Sequence, residues 1–142
     1  MSSDLATRSL PRSVGYWMAV AAALYVLFNA IQAVIGPVSF AGHLGLPLLG
    51  PADDGFVFVY ATRSAVIGLI ALMLAWRRDL PTLALVVLVA AAMPVIDAIV
   101  LANHHAGTAT VVRQLVTAGY LLVTWYLLRH HVRHRSSVTP AS

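Results

Sequence analysis

The chain contains no cysteine, no lysine and no glutamate. Without cysteine, disulfides, thiolate nucleophiles, Cys-ligated zinc and iron–sulfur clusters are excluded, and no redox compartment is signalled. Without lysine and glutamate, every formally positive side chain is Arg and every negative one is Asp. Charge is scarce altogether. It accounts for 10% of the 142 residues, where a soluble domain carries about 25%. No nucleophile elbow, phosphate loop or dinucleotide fingerprint is present, and no internal repeat stands out.

What remains is apolar: 60% of the residues are hydrophobic, and the mean hydropathy is +0.84. The apolar residues are clustered into runs of bilayer-spanning length rather than scattered as in a soluble core. The pattern predicts an all-α integral membrane protein, a four-helix bundle in one domain. Its spans are expected at about 14–36, 56–76, 80–102 and 110–128. Residues 1–13 form a polar, flexible lead. The first span has the basic flank of a signal peptide, but it exceeds the usual h-region of about 7–15 residues and is expected to stay as an uncleaved helix. Residues 129–142 are basic, then polar, and are expected to be a disordered tail.

Between the first two spans lies a Gly- and Pro-rich loop with an apolar middle at 40–49. That middle is expected on the membrane surface or folded back over the bundle. Arg77-Arg78-Asp79 forms a tight turn, and Pro81 suits the first turn of the helix that follows.

The net charge of +4 does not indicate nucleic acid, because the arginines sit at the ends of apolar runs. Arg8, Arg12, Arg77, Arg78, Arg129, Arg133 and Arg135 all fall on one side of a four-span arrangement. The other side has Asp53, Asp54 and the His104-His105 turn. The positive-inside rule then predicts a multi-pass protein of the cell membrane with both termini cytoplasmic. Trp17, Trp76, Trp125 and Tyr126 gather near the same helix ends as an interfacial belt.

Arg63 and Asp97 are the two lone charges inside the second and third spans. An ionisable side chain at that depth costs roughly 2.5–3.5 kcal/mol on insertion scales, so it is paired, bundle-facing or functional. At ~1.5 Å rise per residue, Arg63 lies roughly 10 Å and Asp97 roughly 8 Å below the outer surface. Asn29, Gln32 and Arg113 fall in the same outer half. Tyr25, Asn29 and Gln32 share one helix face. So do Tyr60, Arg63 and Ser64, and so do Thr110, Arg113, Thr117, Tyr120 and Thr124. Asp97 and His104, seven apart, share another. These stripes are expected to converge on a pocket open to the outer side.

In that pocket Asp97, Arg63 and His104 are the candidates for chemistry. Asp97 would be a general base or proton site, and Arg63 would hold it ionised or bind an anion. Asn29, Gln32, Tyr25, Tyr60, Arg113 and Thr117 are the candidate ligand-binding residues. Pro94 frees the Ala90 carbonyl one turn before Asp97 and is expected to bend the helix there. The competing reading makes the Arg–Asp pair mere interhelical glue, worth only about 0.6 kcal/mol per polar contact.

No metal site and no cofactor are expected. His104-His105 are adjacent, and adjacent side chains diverge on regular structure. His130, His131 and His134 read as an interfacial basic tail.

Several short motifs carry a resemblance. Ile-Gly-Pro stands at 35–37, Ala-Thr-Arg-Ser-Ala-Val-Ile-Gly-Leu at 61–69, Pro-Val-Ile-Asp at 94–97, and a His-rich turn at 104–107. In these the chain resembles the small four-helix membrane proteins of domain-of-unknown-function family 4267, which are broadly DoxX-like. The resemblance covers about 14–128. It implies the four-span architecture and directs attention to Arg63, Asp97 and His104, and it brings no activity with it.

Three functions remain open from the residues. The first is binding of a small lipophilic ligand with a polar or anionic end. The second is a membrane-embedded isomerase or hydrolase using Asp97 as acid/base beside Arg63. The third is a proton-coupled transporter acting as a homo-oligomer, since four helices are few for alternating access. Membrane lipid is the expected surrounding partner in each case.

Overall fold

In a computed structural model the described residues are 13–44, 54–103 and 107–136. They form five helices, α1 (Val14–Ile35), α2 (Pro37–His43), α3 (Asp54–Trp76), α4 (Leu80–Asn103) and α5 (Thr108–Ser136), with no strand among them. Four of these, all except α2, are long and apolar enough to cross a membrane. The protein is a multi-pass membrane protein.

Packing is inverted relative to a soluble bundle. The buried face is built from small residues such as Ala19, Ala23, Ala71, Ala75 and Ala84, while Leu24, Phe28, Ile31, Leu69, Val89 and Val116 point outwards. Between helices in lipid no hydrophobic force remains, so close approach of small residues supplies the van der Waals contact. Gly15 shows how close α1 and α5 come. A Cβ added there would lie 2.9 Å from the Leu127 Cβ and 3.0 Å from the Leu128 backbone nitrogen.

The α3–α4 turn closes the end of the bundle where the N-terminus of α1 and the late residues of α5 meet. Asp79 N–H donates to the Leu74 carbonyl and Arg78 N–H to the Ala75 carbonyl, both at 3.0 Å. These are the two bonds of a Schellman stop. Arg78 occupies the left-handed position with φ 58°. The Asp79 carboxylate then accepts from the Thr82 N–H at 3.2 Å, which caps the start of α4, and Pro81 sits in its first turn.

At this basic end one cluster joins all four long helices, through Ala19, Ala75, Leu83, Val87 and Leu128 among others. At the opposite end the buried cluster is Ala33, Phe40, Ala41, Val57 and Ala61, which belong to α1, α2 and α3 alone. There α4 and α5 pack on each other without joining it. The bundle is therefore sealed at the basic end and looser at the other.

The connection between the first two spans takes one of its two expected placements but is not all loop, and the tail differs from expectation; residues 45–53 lie outside the described residues. The Gly- and Pro-rich connection contains the helix α2, which folds back over the bundle because Phe40 and Ala41 are buried against α1 and α3. Residues 129–136, expected in a disordered tail, continue α5. Val132 packs on the basic-end core, and that contact rewards continuing the helix.

Candidate functional site

The loose end holds a cavity of about 470 Å³. Its base is apolar and lined by small or branched side chains (Ala19, Ala23, Ala71, Val86, Val87). These side chains are too short to fill the space between the two helix pairs. Towards the open end the lining turns polar, in the order that the helical stripes dictate.

From α1 come Tyr25, Asn29 and Gln32. From α3 come Tyr60, Arg63 and Ser64. Asp97 comes from α4, and Arg113, Gln114 and Thr117 come from α5. Every ligand-binding candidate read from the sequence lines this one cavity, and so do Arg63 and Asp97. His104 lies outside the described residues, as do His105 and Asp53. Ser39, His43 and Gln114 were not among the candidates. Gln114 adjoins Arg113, and that adjacency was the only sequence signal for it. Ser39 and His43 required knowing that 37–43 is a helix.

A chain of contacts crosses the cavity wall from α2 to α4. Phe40 packs against Tyr60 with ring centroids 5.3 Å apart. The Arg63 guanidinium lies over the Tyr60 ring, 5.7 Å from its centroid. Arg63 Nη2 then stands 4.0 Å from Asp97 Oδ1. That distance is long for a charge-assisted hydrogen bond, which runs about 2.7–2.9 Å. Both side chains keep substantial exposure, 46% for Arg63 and 30% for Asp97. The pair is drawn together without being consumed, and each partner retains hydrogen-bonding capacity towards the cavity.

The remaining polar groups divide by what they already bind. Arg113 Nη2 donates to the His43 carbonyl at 2.7 Å, tying α5 to α2 across the cavity mouth. His43 Nδ1 lies 2.8 Å from the Ser39 carbonyl. A carbonyl only accepts, so Nδ1 carries the hydrogen and Nε2 is an acceptor when the ring is neutral. Asn29 donates its amide to the Tyr25 carbonyl at 2.8 Å, which leaves its side-chain oxygen as an acceptor. Thr117 donates to the Arg113 carbonyl at 2.9 Å, so its hydroxyl hydrogen is spent on its own helix.

Farther down the same α5 stripe, Tyr120 donates to the Met18 carbonyl of α1 at 2.9 Å. The buried Thr124 donates to the Tyr120 carbonyl at 2.8 Å. These two serve the bundle and do not line the cavity. Pro94 lies inside α4 and lines the cavity one turn from Asp97, beside Ala90, whose carbonyl it leaves without its usual helical donor. Among the described residues, no group of three or more His, Cys, Asp or Glu side chains is placed to hold a metal ion.

No curated protein and no solved structure matches the chain. A family model does, over residues 22–128, which takes in α1 from its ninth residue, all of α2, α3 and α4, and α5 up to Leu128. The matched stretch contains every cavity-lining side chain that carries charge. The chain belongs to the family described as Domain of unknown function (DUF4267).

Proposed function

We propose that this protein binds a small lipophilic molecule with a polar or anionic end, held in the outer half of the bundle. The observation that carries this reading is the cavity itself. Its apolar base leads up to an Arg63–Asp97 pair set 4.0 Å apart and open to the space between them. Ligand sites commonly occupy about 300–1,000 Å³ and combine an apolar lining with a few convergent polar groups. An intramembrane charge that remains partly exposed to such a space marks function more readily than glue. Two arginines against one aspartate in the lining leave positive charge in excess, which favours an anionic or carbonyl-bearing end over a cation.

The orientation belongs to the same proposal. With arginines at the end sealed by the α3–α4 turn, that end faces the cytoplasm of a cell membrane and the cavity mouth faces away from it.

The test is recovery of the molecule. Protein purified from its native membrane is released into the gas phase, or extracted with solvent, and the small molecules that accompany it are identified. A lipophilic species with an anionic or carbonyl end should accompany the wild type and be depleted in Arg63→Leu. Equal recovery from both would overturn the proposal.

A second reading is favoured by Asp97, whose carboxylate reaches the cavity beside a cation. In a membrane-embedded isomerase or hydrolase it would take or give the proton at the substrate. Asp97→Asn separates the two readings. Retained affinity with lost turnover supports catalysis, and lost affinity without turnover in the wild type supports binding.

A further inference from the structure

The basic end of α5 carries a second, smaller cleft that shares no lining residue with the cavity. It measures about 260 Å³ and is lined by Trp125, Tyr126, Arg129, His130 and Arg133. Its walls are held by ring contacts one helical turn apart. The Arg129 guanidinium lies over the Trp125 ring, 5.3 Å from its centroid. The Tyr126 and His130 rings lie 6.0 Å apart and 35° from parallel.

The helix dipole accounts for only part of this arrangement. Cations favour the last turn of a helix, which in α5 holds Arg133, but Arg129 stands before that turn. Among the described residues, no carboxylate lines the cleft. At this end of the bundle, Asp79 is engaged in capping α4.

The helix face continues the pattern into the bilayer. Leu115, Leu122, Tyr126, Arg129 and Arg133 follow i, i+7, i+11, i+14 and i+18, so they form one stripe. Leu115, Leu122 and Tyr126 are exposed along it. From Leu115 to Tyr126 the helix rises ~16 Å at ~1.5 Å per residue. Half of a hydrocarbon core of ~30 Å is ~15 Å. The stripe is therefore apolar for the depth of one leaflet and becomes doubly cationic where head groups begin, with aromatic rings at the boundary.

We propose that this face of α5 binds an anionic phospholipid. Arg129 and Arg133 donate to the head-group phosphate, Trp125 and Tyr126 flank the ester region, and an acyl chain lies over Leu122 and Leu115. Free phosphate shares the recognition chemistry of the arginines, but the apolar stripe has a counterpart only in a lipid.

Delipidated full-length protein in nonionic detergent, titrated with phosphatidylglycerol or phosphatidylcholine and read by native mass spectrometry, tests this. An arginine near the membrane surface contributes about 1 kcal/mol to anionic-lipid attraction, roughly fivefold in affinity. Arg129→Gln/Arg133→Gln should therefore weaken phosphatidylglycerol binding roughly 25-fold. It should leave phosphatidylcholine unchanged, while Arg77→Gln/Arg78→Gln should have little effect on either. Undiminished phosphatidylglycerol binding by the first variant, or an equal loss in the second, would overturn the site.

Displacement of phosphatidylglycerol by inorganic phosphate would overturn the lipid and leave only an anion site. A second measurement keeps both arginines. In Trp17→Phe/Trp76→Phe protein, brominated phosphatidylglycerol should quench Trp125 fluorescence more strongly than brominated phosphatidylcholine, and equal quenching contradicts the proposal.

Discussion

Arg113 on α5 donates a 2.7 Å hydrogen bond to the backbone carbonyl of His43, the last residue of α2, across 70 positions of sequence. The bond makes α2 a strap. The strap is anchored by the buried Phe40 and Ala41, with Leu44 packed against the same cluster, and this charge-assisted contact adds a tie to α5. Arg113→Leu should release that tie. A hydrogen bond to a charged group contributes about 1.5–3 kcal/mol at most, and solvent exposure lowers this to about 1. The absence of cysteine makes the test clean. In an Ala41→Cys background, where the side chain is fully buried while α2 is closed, thiol labelling should accelerate roughly fivefold when Arg113 is replaced, which is the population change that about 1 kcal/mol implies. An unchanged rate would show that the strap is held elsewhere.

The Arg63–Asp97 pair separates site from glue by its energetics. Breaking a buried, saturated ion pair costs about 3–5 kcal/mol. A partly exposed pair at 4.0 Å should couple by less than about 1 kcal/mol. A double-mutant cycle of Arg63→Gln and Asp97→Asn, read by reversible unfolding in mixed micelles, should therefore give a small coupling energy. A coupling of about 3 kcal/mol would return the pair to a structural role.

How much of this was legible from the chain depends on what kind of signal each part carried. The four long helices were visible because bilayer thickness imposes a length, and apolar runs of that length have few alternatives. The cavity lining was visible because polar side chains avoid lipid, so the i, i+3, i+4 spacing of Tyr60, Arg63 and Ser64 predicts which face turns inwards. The strap was visible only as a segment that folds back over the bundle or lies on the membrane surface, and not as a helix. Seven residues among Gly36, Pro37 and Gly42 carry weak helix propensity, and α2 exists through the burial of Phe40 and Ala41, a tertiary effect. The extension of α5 was hidden in the same way, since composition at 129–136 reads as a tail while Val132 packs on the core.

The glycines give a graded set of packing tests. A Cβ at Gly15 would meet the Leu127 Cβ and the Leu128 backbone, neither of which can swing aside. At Gly68 it would meet Leu27 Cγ at 2.8 Å and the Ala23 carbonyl at 3.2 Å. Gly119 has nothing within 4 Å. Gly15→Ala should destabilise by about 1–3 kcal/mol, as overpacking does. Gly119→Ala should be neutral or stabilise by up to about 1 kcal/mol, through helix propensity alone. Thermal unfolding midpoints in detergent should rank Gly119→Ala above wild type, and wild type above Gly15→Ala. The reverse order would contradict the α1–α5 crossing.

Arg78 holds a position that glycine would hold more comfortably. Its φ of 58° lies in the left-handed region, which costs a side-chain-bearing residue roughly 1–2 kcal/mol. Its charge contributes to the arginine asymmetry on which the proposed orientation rests, a separate requirement. Arg78→Gly should raise the unfolding midpoint by the equivalent of about 1 kcal/mol while weakening the topological signal. A lowered midpoint would mean that the Arg78 side chain makes a stabilising contact greater than its backbone strain.

Ala90 offers the most direct test that the cavity is occupied. It lines the space on α4 one turn before Pro94 and keeps partial exposure, so a larger side chain there projects into room that already exists. Overpacking penalties of about 1–3 kcal/mol arise where a side chain must displace its neighbours, and here the added ring has space to enter. Ala90→Phe should therefore leave the unfolding midpoint within about 1 kcal/mol of wild type and sharply deplete the co-purified lipophilic molecule. Because Ala90 carries no charge, such a loss cannot be assigned to electrostatics at Arg63 or Asp97. It would place the ligand's apolar body in the small-residue part of the cavity, with its polar end towards the pair. Wild-type recovery from a stable Ala90→Phe protein would mean that the molecule lies elsewhere.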